Sequence, residues 1–141
     1  MALPNVFTAD VSSELVARIN RLTPDSSALW GSMDVAQMLA HCNVTYEMLY
    51  DNIHPKPGFM VKLMLKAFVK NKVVNEAPYE PNGRTAPQFI IKSSKDFTKE
   101  KARLIAFVEK TQQLGEKEFD GRESHSFGNL TAEQWNNMFY K

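Results

Sequence analysis

His41 and Cys42 sit side by side in Leu29-Trp30-Gly31-Ser32-Met33-Asp34-Val35-Ala36-Gln37-Met38-Leu39-Ala40-His41-Cys42. An imidazole roughly two and a half turns into a helix is either one ligand of a metal site or a buried polar side chain. Zinc, nickel and iron sites need three or more protein ligands, commonly with two histidines four apart on one helix. No such pair occurs here, and His54 and His125 fall in segments that read as loops. A cysteine–histidine nucleophile is disfavoured, because adjacent helical residues project about 100° apart and do not face each other. Cys42 reads instead as a small buried thiol on an apolar seam. Ser126 beside His125 offers a hydroxyl and a base, but no placed carboxylate and no strand-turn-helix elbow accompany them. A turn with Phe127 packed beneath it is the simpler reading of Ser124-His125-Ser126-Phe127-Gly128. No phosphate loop, dinucleotide fingerprint or zinc-ribbon spacing is present.

The elements that must position these residues are helical. Val11, Leu15, Ile19 and Leu22 predict a first helix over 10–22, stopped by Thr23-Pro24. A second opens at Ser32 as N-cap, and Val35, Leu39, Cys42, Tyr46, Leu49 and Ile53 form its seam. On that helix His41 shares a flank with Asp34, Met38, Thr45 and Met48, pointing toward the interior near its edge. Met38, Thr45 and Met48 are therefore the expected pocket-lining residues beside His41. A third helix is expected over 59–72, apolar almost all round except for the line Lys62, Lys66 and Lys70. That line reads as the solvated face of a buried helix. A membrane-surface or acidic-ligand role is the alternative, and Phe59, Met60, Leu63, Met64 and Phe68 are candidates to wall an apolar cavity. Residues 73–96 carry Pro78, Pro81 and Pro87 and read as a long loop, with Phe89-Ile90-Ile91 extended. A long helix follows over 97–114, capped by Asp96 or Thr98, with Leu104, Ile105, Val108 and Leu114 inward and Gly115 past its end. Thr131 and Gln134 form a capping box for a last helix whose apolar face is Trp135, Met138 and Phe139, with Leu130 and Trp135 at staple spacing. That helix reads as stopping in mid-course at Lys141.

At 141 residues the chain reads as one domain, 1–141, large enough to bury a core without staples. Its 43% hydrophobic and 23% charged residues are those of a globular protein. The net charge of +1 gives no global pull toward nucleic acid. A single cysteine forbids an intramolecular disulfide, and the expected setting is reducing and cytoplasmic. Neither a signal peptide nor a membrane span is legible.

Trp30-Gly31-x-Met33-x-x-x-Gln37-Met38-Leu39-Ala40-His41-Cys42, followed by His125-x-Phe127-Gly128-x-Leu130-Thr131-x-Glu133-x-Trp135, resembles a bacterial branch of the DinB-like superfamily. That group is related to the bacillithiol- and mycothiol-dependent metal transferases. The resemblance implies an all-α, up-and-down four-helix bundle with a long crossover connection and an additional short helix. It implies a divalent metal (zinc, nickel or iron) held by three histidines. His41 matches the first of them. The other two would lie four apart on the last helix, just beyond the position of Tyr140-Lys141, so an incomplete site is expected in this chain. His125 matches a loop motif and not a ligand. The implied activity is transfer or hydrolysis of a small molecule, a low-molecular-weight thiol or a small ester or amide, by a water or thiol activated on the ion. The alternative is a non-catalytic helical module, a homodimer or an apolar-ligand carrier, docking through the Trp135, Met138 and Phe139 stripe.

Overall fold

The computed structural model describes residues 2–141 and is mostly helical. Thr8 caps α1 (Ala9–Asn20), its hydroxyl accepting from the Val11 amide. Leu15, Val16, Ile19 and, just past the helix end, Leu22 turn to the core.

Helix α2 (Val35–Tyr46) starts from Asp34, not from Ser32. The Asp34 carboxylate accepts from the Gln37 amide at 2.8 Å, and the Gln37 side chain accepts from the Asp34 amide at 3.0 Å. Only Asp34 has a glutamine three residues on, and that spacing closes both bonds at once. The helix continues into a π-helical turn, Glu47–Asp51, and ends at Asn52, whose φ of 51° is left-handed. The wider turn and the break shift the register. Ile53, expected on the seam, is consequently 63% exposed.

The expected helix over 59–72 is two pieces, α3 (Phe59–Phe68) and α4 (Lys70–Val74), separated at Val69 with φ of −111°. The larger correction concerns its faces. No residue of α3 is buried; Phe59, Met60 and Phe68 are 76%, 70% and 75% exposed. The helix is therefore not the buried one expected behind a solvated lysine line: Lys62 is half-buried and pairs with Glu123, while Lys66 is exposed. Phe89 is not extended as expected either, although Ile90 after it is. Pro87, with φ fixed and no amide proton to donate, opens a 3-10 turn over Pro87–Phe89.

Helix α5 (Phe97–Leu114) has the predicted span, with Asp96 as its cap and Gly115 at φ 84° after it. Leu104 and Val108 are buried as expected, whereas Leu114 is 42% exposed. A short α6 (Glu116–Phe119) leads to a two-stranded antiparallel hairpin, β1 (Glu123–Ser124) and β2 (Gly128–Asn129). The capping box of Thr131 and Gln134 then starts α7 (Ala132–Tyr140).

Helix α5 packs against both α2 and α1, while α7 packs on α4 and α6. One apolar cluster gathers Val35, Leu39, Tyr46, Leu104 and Val108; the other gathers Val6, Phe7, Val74, Phe119, Leu130 and Trp135. Phe139 joins them, stacked on Tyr46 at 5.2 Å and meeting Phe119 edge-on at 5.5 Å. Within the Trp135, Met138 and Phe139 stripe, Trp135 is buried against Phe119, Phe139 meets Phe7 and Phe119, and Met138 is partly buried on the same cluster.

Candidate functional site

Gln37 and His41 lie one turn apart on α2, and both reach the long connection that returns to α5. Gln37 Nε2 donates to the Ser93 carbonyl at 3.2 Å. His41 Nδ1 bonds the Phe89 carbonyl at 2.8 Å, and the imidazole meets the Phe89 ring edge-on at 5.4 Å. A carbonyl only accepts, so Nδ1 carries the proton. In the neutral ring Nε2 then holds the lone pair. This is how ligating histidines are commonly oriented, the distal N–H being held by a backbone carbonyl. The ring is half-buried, neither sealed in hydrocarbon nor out in bulk solvent.

Met38, Thr45 and Met48, the expected lining on that flank, are half-buried. Met38 packs against the Val35 and Leu39 cluster, and the Cys42 thiol lies 3.7 Å from its sulfur. Burial pushes Cys42 up to about 11, so the thiol stays protonated at neutral pH and is no nucleophile.

A second polar group was not legible in the sequence. Arg103 on α5 bridges two glutamates, donating from Nη2 to Glu47 Oε2 and from Nη1 to Glu100 Oε2 at 2.8 Å. The remaining Glu47 oxygen accepts from His54 Nε2 at 2.9 Å, and Asn43 Nδ2 donates to Glu100 Oε2 at 2.9 Å. Burial pushes the Glu47 carboxyl up, but the Arg103 and His54 hydrogen bonds outweigh it and hold its pKa below the ordinary 4.5. The group ties the π-helical turn and the His54 loop to α5. The sequence marks only Asn43 and Glu47, four apart among mostly apolar neighbours, and gives no sign of the Arg103 that joins Glu47 to Glu100. Asn43 Oδ1 is left buried without a partner.

His125 lies in the hairpin turn. Its Nε2 bonds the His54 carbonyl at 3.2 Å, which leaves Nδ1 to accept from the Ser126 hydroxyl at 2.8 Å. The serine is therefore polarised, but the ring is anchored by a backbone carbonyl where a nucleophile relay uses a carboxylate. Ser124 completes the turn, accepting from the Phe127 amide and donating to the Gly128 carbonyl. Phe127 packs on the core, as the turn reading expects.

The structure brings His54 and His125 together through that carbonyl, whereas the His41 ring is held at Phe89. His41 fits one position of a nitrogen-ligand set. Among the described residues, no group of three or more His, Cys, Asp or Glu side chains is placed to hold a metal ion. No helix among them is long and apolar enough to cross a membrane. No protein-family model, curated protein or solved structure matches the chain.

Proposed function

We propose that the chain belongs to a DinB-like protein serving divalent-metal-dependent transfer to, or hydrolysis of, a small molecule, with His41 as its one nitrogen donor. The observation that supports this is the 2.8 Å bond from Nδ1 to the Phe89 carbonyl. That bond fixes the ring and turns Nε2 into the basic atom. Met38, Thr45 and Met48 are the side chains on the same flank for a small substrate or a thiol cofactor. The described residues do not complete a metal centre, and no reaction step through an ion is derived from them. What this chain does itself is hold one imidazole in one tautomer.

Zinc titration of two forms tests the reading. The 141-residue chain is expected to bind zinc weakly. A form in which α7 is continued with an H-x-x-x-H turn is expected to bind one ion tightly and to lose it on His41→Ala. Equally tight binding by the short form, or an extended form indifferent to His41→Ala, contradicts the assignment.

A second reading, a non-catalytic helical module, is favoured by one observation: the large apolar surface that α3 leaves uncovered.

A further inference from the structure

Helix α3 is amphipathic in the reverse of the usual sense. Its lysines Lys62 and Lys66 lie on the hairpin side, the first half-buried and the second exposed, while its apolar side chains other than the half-buried Leu65 point away. Lys62 Nζ donates to Glu123 Oε1 at 3.2 Å. The Lys66 side chain lies over Gly128, close enough that a Cβ there would meet its Nζ at 3.4 Å. On the other side stand two rows at intervals of four: Met60, Met64 and Phe68, and Phe59, Leu63 and Ala67. Met64 is 60% and Leu63 is 47% exposed, and Val61 and Val69 flank them at 52% and 38%. No charged side chain interrupts these rows.

We infer that this face is the contact between two copies of the chain, α3 against α3 across a two-fold axis. Area is the first argument. Side chains of these sizes and exposures offer on the order of 800 Å² of apolar surface. That far exceeds the single exposed hydrophobes normal on a monomer. It matches the roughly 800 Å² that each partner contributes to a standard interface. Charge is the second. An anionic bilayer calls for basic side chains beside the apolar face at headgroup level. Here Lys62 is paired with Glu123 and the exposed Lys66 lies beside Gly128, so both basic groups stand along the hairpin edge and the two rows themselves form a charge-free surface that is complementary to itself. Two parallel rows at i, i+4 spacing are the ridges from which helices interdigitate, and Ala67 gives the second row a shallow point for close approach. A two-fold axis passing near Leu63 and Met64 sets each row against its own copy.

Sedimentation equilibrium of the 141-residue chain over the micromolar range is the test. A dimer is expected, converted to monomer by Met64→Glu and Phe68→Glu with unchanged far-UV circular dichroism, because these side chains support nothing inside the fold. Oxidation of Met64→Cys, made in a Cys42→Ser background, is expected to give a covalent dimer. His41→Ala is expected to dimerise like the parent, so this inference and the metal reading fail separately. A monomeric parent chain overturns the inference, as does a dimer that survives both glutamates. Co-sedimentation of a monomeric chain with vesicles of phosphatidylcholine and phosphatidylglycerol also overturns it, assigning the face to lipid.

Discussion

At Glu47 two effects oppose each other, and the second wins. Burial disfavours the carboxylate; hydrogen bonds from Arg103 and His54 favour it more strongly and depress its pKa in the folded chain below 4.5. A depressed folded pKa contributes stability that is fully present above the unfolded value. The contribution is lost as pH falls through the folded value. Urea unfolding followed from pH 7 down to pH 3 is therefore expected to show stability falling below about pH 4.5. Glu47→Gln should flatten part of that fall and cost roughly 1–3 kcal/mol at neutral pH, since it breaks charge-assisted bonds to Arg103. An unchanged acid slope in the variant contradicts the account. Residues of this kind were poorly legible in the sequence. Cys42 could be read from helix geometry alone, because its neighbour His41 projects elsewhere. Glu47 could not, because its burial depends on Arg103, 56 residues away on another helix.

Helix boundaries were legible wherever a cap and its reciprocal partner lie close in sequence. Thr131 with Gln134, Asp96, and Gly115 all stand where the sequence places them. Ser32 is the expected cap of α2, but Asp34 takes that place, because Gln37 lies three residues after it and closes the reciprocal bond. Asp34→Ala is expected to remove the bond to the Gln37 amide, cost about 1 kcal/mol and lower Tm by about 3 °C. Ser32→Ala is expected to leave Tm unchanged, and the reverse order by differential scanning calorimetry would contradict the cap assignment. Helix α3 shows the limit of periodicity. The lysine line was visible at once, but a stripe does not say which side faces the protein. That depended on Glu123 and Gly128, which arrive from a hairpin some 60 residues later. The π-helical turn after Tyr46 was equally hidden, since one extra residue in a turn leaves no mark on composition.

Across the whole molecule, the mostly helical class and the main helices were legible because their apolar spacing is sustained. The course of the connection over 75–96 was not. Its prolines announce a break from helix but not where the chain goes next. The structure answers with two side chains of α2: Gln37 and His41 fasten this segment at Ser93 and Phe89, across 56 and 48 residues of sequence. The proposed role of His41 rests on this long-range tie, for it alone sets which ring nitrogen is left to bind. Long-range ¹H–¹⁵N NMR of histidine-labelled chain, recorded at mildly alkaline pH, reads that state directly. The account predicts a His41 ring protonated on Nδ1, with that pattern lost when the 87–89 turn is displaced by deletion of Phe89. A His41 ring protonated on Nε2 would contradict it.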